Sequence, residues 1–133
     1  MVNPIPGDGQ QFRILVADDS QEIRELLFEV FSSIGYAVTC VKDGLEALAS
    51  LQAGSYELLI TDYCMPRLDG LALLGRLQVG DGCPLSILIT AQGTPDLIEQ
   101  ARQAGAAVVL FKPFAVPDLV ALVEAIQDRR PTH

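Results

Sequence analysis

Three aspartates, one threonine and one lysine stand at the ends of four short apolar runs of this chain. In chain order the runs read ILVA, LLIT, ILI and VVLF, and the residues at their ends are Asp18 with Asp19, Asp62, Thr90 and Lys112. If the runs are parallel strands of one sheet, their carboxyl ends share one edge, where open α/β sheets bind ligands. Side chains at that edge would form an acidic pocket suited to a metal ion, beside one cation and one hydroxyl.

The three carboxylates are the main indication of a metal site. Asp18, Asp19 and Asp62 in one pocket would repel one another and raise at least one pKa, unless a cation lies among them. A few oxygen ligands with room for water suit Mg²⁺. The alternative is that Asp18 or Asp19 only caps the following helix, since aspartate is a good N-cap. A double aspartate matched by a third after another run favours the metal site.

Lys112 and Thr90 also have structural alternatives. A lysine at a strand end is usually a solvated charge, and a threonine can occupy a strand only for its β-branched side chain. Opposite three acids, the lysine can pair with a carboxylate or an incoming anion, to which the hydroxyl can donate. An aspartate can act as a covalent nucleophile, and positive groups stabilise transferring phosphoryl oxygens. The set therefore suits phosphoryl transfer to a carboxylate.

The apolar runs alternate with longer segments of helical periodicity, which predicts a doubly wound α/β domain with a (βα)5 order of elements. The first, third and fourth runs are continuous rather than alternating, which is typical of parallel strands buried on both faces. The predicted strands are Arg13–Ala17, Ala37–Val41, Glu57–Thr61, Ser86–Thr90 and Val108–Phe111.

Capping residues and apolar spacing predict the helices. The first ends before Gly35, which is expected in the left-handed conformation. Asp43, Asp69 and Thr94 are the expected N-caps of the second, third and fourth helices, and Pro117 lies in the first turn of the fifth. The apolar face of the first helix is expected to comprise Ile23, Leu26, Leu27, Val30, Phe31 and Ile34.

Length and composition predict one cytoplasmic domain. The 133 residues fall within the common domain size of about 100–150, with a domain expected at 12–128 between a flexible tail at 1–11 and a second tail at 129–133. The net charge of −8 argues against direct nucleic-acid binding, which needs clustered basic residues. No apolar stretch approaches the roughly 18 residues of a membrane span. The three cysteines lack CxxC spacing and are expected to be reduced.

Together, the motifs closely resemble the receiver domain of bacterial two-component response regulators. Each motif is weak alone, but their order and spacing from Phe12 to Asp128 are specific. The resemblance implies a flavodoxin-like five-stranded parallel sheet with the strand order 2-1-3-4-5. The motifs are Asp18-Asp19, Asp62 followed by Met65-Pro66 and Asp69-Gly70, Thr90-Ala91, and Lys112-Pro113-Phe114.

The resemblance also implies roles for the acidic residues. Asp62 would accept a phosphoryl group from a phosphohistidine. Asp18, Asp19 and the backbone carbonyl of Cys64 would hold Mg²⁺ together with Asp62. Such a domain is a signalling module rather than an enzyme, because it catalyses only its own phosphorylation and slow dephosphorylation.

By the same resemblance, Thr90 and Lys112 would bind the phosphoryl oxygens. The chain has a single histidine, His133, in the expected tail, so the donor would be a sensor histidine kinase, a histidine phosphotransfer protein or a small phosphodonor. A downstream protein would bind the face formed by helix four, strand five and helix five. The residues expected to dock the phosphodonor partner are Ile23, Pro113 and Phe114.

Val109 departs from the family pattern. Family members usually have Tyr or Phe three residues before the lysine, and that ring turns inward when the threonine moves. Valine has no ring to move, so we hypothesise that phosphorylation occurs and that its output differs. Phe111, on the same face of the strand, is either a partial substitute or a side chain packed on a neighbouring helix. Cys64 and Gln92 either control water access to the phosphoryl group or only fill loops.

Other functions remain open at this point. A receiver-like module that is not phosphorylated, and works only by binding a protein, is the main alternative. A phosphatase with an aspartyl nucleophile typically has a second acid where this chain has Cys64, and a flavin protein would need a phosphate-binding loop after the first strand. No effector domain is expected after the fifth helix, which fits a single-domain regulator, a phosphorelay intermediate or part of a larger protein.

Overall fold

Parallel strands form one sheet in the computed structural model, which describes residues 11–77 and 83–129. Within those ranges the strands are β1 (Arg13–Ala17), β2 (Ala37–Val41), β3 (Leu58–Asp62), β4 (Leu85–Thr90) and β5 (Val108–Phe111). The helices are α1 (Gln21–Ile34), α2 (Gly44–Ala53), α3 (Gly70–Leu77), α4 (Pro95–Gln103) and α5 (Val116–Asp128). The order across the sheet is β2-β1-β3-β4-β5, which confirms the predicted doubly wound, flavodoxin-like (βα)5 fold.

The predicted bounds of β3 and β4 were each wrong by one residue. Instead of Glu57–Thr61, β3 spans Leu58–Asp62, because Asp62 pairs with Ile89 of β4 at the end of the ladder. Leu85 likewise pairs with Leu58, so β4 begins one residue before the predicted Ser86. Asp62 is therefore part of the sheet itself, and its backbone position is fixed by a neighbouring strand.

Alternate strand residues pack into two core layers on opposite faces of the sheet. Burial of each large aliphatic side chain stabilises the fold by roughly 1.5–3 kcal/mol. The layer under α1 and α5 includes Ile14, Val16, Leu58, Ile60, Ile87 and Ile89, with Leu27, Phe31, Leu119 and Val123 from the helices. The layer under α2, α3 and α4 includes Leu15, Ala17, Leu59 and Leu88, with Ala47, Leu73, Leu74 and Ala101 from the helices.

The helix ends follow the capping prediction, and the alternative that Asp18 or Asp19 caps α1 is wrong. Asp43, Asp69 and Thr94 each accept a backbone N–H of the following helix turn. Gly35 has a φ of 113° and ends α1 in the left-handed conformation. The side chain that caps α1 is Ser20, whose Oγ accepts the Ile23 N–H, so both aspartates before it are available for other contacts.

The apolar face predicted for α1 is wider than the face that the fold buries. Leu27 and Phe31 are fully buried, but Leu26 and Ile34 are each 41% exposed. The reason is that α1 packs on β1 and the edge strand β2, and only Leu27 and Phe31 of the helix are fully buried there. Ile23 and Val30 flank these two residues and are half-buried.

Both predicted tails lie outside the described residues, apart from Gln11 and Arg129. His133 and the domain bounds that depend on the tails are therefore not described. Within residues 11–77 and 83–129, no helix has the length and apolar character needed to cross a bilayer. Cys40 is half-buried and Cys64 and Cys83 are exposed, and within the described residues no disulfide joins them.

Gly70 begins α3 in direct contact with the end of β3. A Cβ at this position would lie 2.3 Å from the backbone oxygen of Asp62 and 2.8 Å from Cδ1 of Leu88. The Gly70 N–H also donates to the Tyr63 carbonyl oxygen at 2.8 Å. The absence of a side chain at Gly70 therefore lets α3 start immediately beside the strand end that carries Asp62.

We expect Gly70→Ala to lower the free energy of unfolding by about 2 kcal/mol, within the usual range for overpacking a rigid site. Gly75→Ala is the matched control in the same helix, since a Cβ there meets nothing within 4 Å. The control should gain up to about 1 kcal/mol from helix propensity. Urea unfolding of both variants measures the difference, and equal effects would contradict the close contact.

Candidate functional site

Three carboxylates meet at the carboxyl edge of the sheet, as the sequence predicts. One oxygen from each of Asp18, Asp19 and Asp62 lies within 4.8 Å of the others. Asp18 and Asp62 are 2% and 5% exposed, whereas Asp19 faces solvent. We call these three residues the acidic cluster. Because Asp18 and Asp62 are buried and Asp19 is exposed, the site is open to solvent on the side of Asp19.

Backbone contacts fix the two buried carboxylates. The Asp18 N–H donates to the Val41 carbonyl oxygen at 3.1 Å, which extends the β1–β2 pairing past the end of the strand. Asp18 Oδ1 accepts the Ser20 N–H at 2.9 Å, and its backbone oxygen accepts Arg24 Nη1 at 2.8 Å. Asp62 is held by the β3–β4 ladder. The backbone positions of Asp18 and Asp62 are therefore fixed by their neighbours.

Burial and mutual repulsion make the negative charges of the cluster unfavourable. The pKa of Asp62 is raised, first by burial and then by the charge of Asp18, against the opposing effect of Lys112. The pKa of Asp18 is raised by burial, which outweighs the Ser20 N–H and the Lys112 charge. Hard carboxylate oxygens with an open side for water are the donor set that Mg²⁺ prefers. The acidic cluster therefore fits a magnesium ion.

Lys112 pairs with the candidate nucleophile. Its Nζ lies 3.2 Å from Asp62 Oδ1, and its side chain is 32% exposed. Its backbone N–H donates to the Thr90 carbonyl oxygen at 2.8 Å, which continues the β4–β5 ladder. The Lys112–Pro113 peptide is cis, an arrangement that X–Pro bonds tolerate. Of the two sequence alternatives for Lys112, the structure shows the carboxylate pair and not a solvated charge.

Thr90 is buried at the end of β4, next to the end of β3. Its Oγ1 accepts the Gln92 N–H at 2.9 Å and donates to the Gln92 carbonyl oxygen at 3.4 Å. The hydroxyl is therefore engaged with the first turn of the loop between β4 and α4. Any new acceptor for this hydroxyl would compete with the Gln92 carbonyl and so act on that loop.

The loop after Asp62 forms a second wall of the site. Cys64 is exposed and lines an open cleft of about 410 Å³ that borders Asp19. Gln92 is also exposed. Cys64 and Gln92, the two residues for which the sequence suggests control of water access to the phosphoryl group, are therefore both open to solvent. The other residues lining this cleft are Tyr63, Met65 and Asp69.

The residues expected at the docking and switch positions differ in exposure. Pro113 is exposed, whereas Ile23 and Phe114 are half-buried and pack against the α1–α5 core layer. Val109 packs against the opposite layer. Phe111 is 46% exposed, because β5 is an edge strand. Its ring lies over the loop after Thr90, where a Cβ at Gly93 would be 3.0 Å from Phe111 Cε1.

Sequence reasoning missed an ion pair next to the cluster. Arg67 Nη2 lies 3.0 Å from Oδ2 of Asp43, and both residues line a cleft of about 750 Å³ that also borders Asp19. Asp43 was interpreted only as a helix cap, and Arg67 carried no pattern that pointed to a partner 24 positions away. The remaining residues of this cleft are Arg24, Lys42, Glu46 and Pro66.

The raised pKa of Asp18 leads to a test of stability against pH. The folded state binds the Asp18 proton more tightly than the unfolded chain, whose pKa is near 3.8. This stability contribution is complete below that pH and is lost as the pH rises through the raised pKa. Asn at position 18 can still accept the Ser20 N–H and carries no charge. We therefore expect Asp18→Asn to be more stable than the parent at pH 7 without metal.

Urea unfolding between pH 3 and pH 8 in EDTA measures this difference, which should shrink toward the acid end. Millimolar Mg²⁺ should reduce or reverse it, because binding to the parent's carboxylates stabilises the folded state. Glu29→Gln, an equal charge change on the exposed side of α1, is the control. A gain in the control as large as that in Asp18→Asn, or none in either variant, would contradict an unfavourable buried charge at Asp18.

Comparison with known proteins places this geometry in a family. The family profile described as the response regulator receiver domain matches residues 14–124. Response regulator MprA of Mycobacterium avium (strain 104) is 37% identical over 118 residues, which are 88% of this chain and 51% of that protein. The chain thus spans about half the length of the curated relatives it matches.

Solved structures agree with the profile match. The receiver domain of the Francisella response regulator 1452 has a TM-score of 0.84 at 28% identity, covering 90% of this chain and 98% of that one. The chemotaxis response regulator CheY4 of Vibrio cholerae has a TM-score of 0.82 at 25% identity, covering 88% of this chain and 99% of that one. Because the profile spans nearly all of the sheet and its helices, we conclude that this chain belongs to the response regulator receiver domain family.

Proposed function

We propose that Asp62 accepts a phosphoryl group from a phosphohistidine in a Mg²⁺-dependent reaction, and that the added charge switches the protein partners of this domain. The observation that carries the proposal is the 3.2 Å contact between Lys112 Nζ and Asp62 Oδ1 inside the acidic cluster. This contact sets a cation beside a buried carboxylate that is also close to two further carboxylates. Membership of the family supports the same reaction.

In the proposed step, a carboxylate oxygen of Asp62 attacks phosphorus while the bond from phosphorus to the histidine nitrogen breaks. The electron pair leaves with the imidazole, which takes up a proton, and Asp62 becomes an acyl phosphate. Mg²⁺, held by Asp18, Asp19, Asp62 and the Cys64 carbonyl, would neutralise the charge of the phosphoryl oxygens. The strand end orients the attacking oxygen, because Asp62 belongs to the β3–β4 ladder.

Lys112 and Thr90 would respond to the new phosphoryl group. The ammonium of Lys112 already contacts Asp62 and would move to a phosphoryl oxygen, where a charge-assisted hydrogen bond is stronger. The Thr90 hydroxyl would donate to another phosphoryl oxygen and give up its contact with the Gln92 carbonyl. Residues 91–94 would then rearrange, and this rearrangement is the proposed switch.

The phosphodonor would be a sensor histidine kinase or a histidine phosphotransfer protein in the cytoplasm. We propose that it docks near Ile23, Pro113 and Phe114, beside the opening of the acidic cluster. A downstream protein would bind the surface of α4, β5 and α5. The net charge of −8 supports protein partners for this domain rather than direct contact with nucleic acid. Exposed Cys64 and Gln92 would control the entry of water that hydrolyses the acyl phosphate.

Labelling with acetyl phosphate tests the reaction directly. We expect one phosphoryl group per chain by intact mass spectrometry when Mg²⁺ is present, and none in EDTA. Asp62→Asn should abolish the label, while Asp69→Asn, an aspartate of the same loop that can still cap α3, should keep it. A folded parent that stays unlabelled with Mg²⁺ would contradict the proposal and favour a module that works only by binding.

The structural changes that follow phosphorylation should differ from those in a receiver domain with an aromatic ring at the position of Val109. We expect amide shift changes on phosphorylation to be concentrated at residues 90–94 and at Lys112, because Val109 has no ring to turn. The Phe111 ring over Gly93 would limit the movement of that loop. Two-dimensional NMR before and after labelling measures this. Equally large changes throughout β4, α4 and β5 would show that Val109 does not alter the output.

A further inference from the structure

The loop between β3 and α3, residues 63–69, includes the carbonyl proposed for the metal ion, so its position affects metal binding. Backbone hydrogen bonds anchor the two ends of this loop. The Tyr63 N–H donates to the Ile89 carbonyl oxygen at 2.8 Å, and the Gly70 N–H donates to the Tyr63 carbonyl oxygen at 2.8 Å. The middle of the loop extends away from the sheet toward the start of α2, where a different set of contacts holds it.

Arg67 connects the middle of the loop to Asp43. Its Nε and Nη2 lie 3.1 and 3.0 Å from the same carboxylate oxygen, Asp43 Oδ2. The other oxygen, Oδ1, accepts the Glu46 N–H at 2.8 Å and caps α2. The Asp43 side chain is 4% exposed. One buried carboxylate therefore joins the loop to the first turn of a helix.

The backbone of Arg67 adopts a conformation that needs support. Its φ is 71°, in the left-handed region that residues with a Cβ occupy infrequently. Such positions persist where surrounding contacts hold them. The ion pair with Asp43 is one such contact, in which a 56% exposed Arg67 side chain meets a buried acceptor.

Gly44 provides a second, independent contact with the loop. A Cβ at Gly44 would lie 2.1 Å from the backbone oxygen of Leu68 and 2.7 Å from its Cβ. The loop backbone therefore rests directly on the first residue of α2. Two consecutive residues of the loop, Arg67 and Leu68, contact two consecutive residues at the helix start, Asp43 and Gly44.

We propose that Asp43, Gly44 and Arg67 form a latch that holds the loop after Asp62 in the position where the Cys64 carbonyl joins the three carboxylates around a divalent cation. This inference rests on the proposed function. The latch residues are positioning residues, because they act through the loop and not on the reacting atoms. Loss of the latch would lower the affinity for Mg²⁺ even though all of its ligands remain.

The loss of charge and the loss of the latch have opposite effects on Mg²⁺ affinity when Arg67 is removed, so a single variant can distinguish them. Removal of a positive charge near an acidic site should attract Mg²⁺ more strongly, whereas loss of the latch should weaken binding. We expect Arg67→Ala to raise the Mg²⁺ dissociation constant at least about threefold, below the roughly 10–100-fold typical of a direct partner of a ligand. Arg67→Lys, which keeps the charge and one contact, should recover part of the affinity.

Asp43→Asn should also weaken Mg²⁺ binding, since asparagine still caps the helix but binds guanidinium less strongly. The double variant should cost less than the sum of the single variants, because each one breaks the same pair. The control is Arg102→Ala, which removes an equal charge from the exposed ion pair with Glu99 on α4. It should leave the dissociation constant unchanged.

Two measurements decide the outcome for the intact chain. Calorimetric titration of each variant with Mg²⁺ as the only ligand gives the dissociation constants. Amide hydrogen exchange in EDTA at residues 63–69 reports on the loop without metal, and should be faster in Arg67→Ala than in Arg102→Ala. Unchanged or tighter Mg²⁺ binding by Arg67→Ala would overturn the latch. If the parent binds no Mg²⁺, the proposed function fails separately, and exchange in EDTA decides the latch: faster exchange supports it and unchanged exchange overturns it.

Discussion

The burial of two carboxylates close together at one edge of the sheet is the constraint on which the rest of this structure depends. Asp18 and Asp62 are almost fully buried, burial raises the pKa of both, and the charge of Asp18 raises the pKa of Asp62 further. Lys112 offsets part of this through its contact with Asp62. Unbalanced negative charge favours a cation at this site, and in the proposed function that cation would prepare the site for an anionic phosphoryl group.

The fold holds the charged side chains close together by fixing the backbone of each residue of the site. Asp62 and Thr90 lie in paired strands, and the backbone N–H groups of Asp18 and Lys112 extend the ladders past the strand ends. Both faces of the sheet are covered by core layers, so the strand ends cannot move apart without exposing apolar surface. The proposed movement is in the loop after β4, where the Thr90 hydroxyl contacts Gln92.

Much of the fold and of the site could be predicted from the sequence, because each site residue directly follows an apolar run. Asp62, Thr90 and Lys112 could be placed at one edge from the parallel arrangement alone. The exposure of Leu26 could not be predicted, since helical periodicity does not tell how much of a helix face the sheet will cover. Nor could the pair of Arg67 with Asp43, because a contact between distant positions leaves no local pattern. The ring of Phe111 over Gly93 is missed for the same reason.

The most direct test of the account is a pH titration of the side-chain carboxyl carbons of Asp18 and Asp62 by NMR, with and without Mg²⁺. Since the two groups interact, their apparent midpoints belong to the pair. The account requires at least one midpoint above 3.8, the ordinary value for aspartate, in metal-free buffer, and a clear decrease when Mg²⁺ is added. Midpoints at or below that value without metal, or no response to Mg²⁺, would contradict the central role of the buried carboxylate charges.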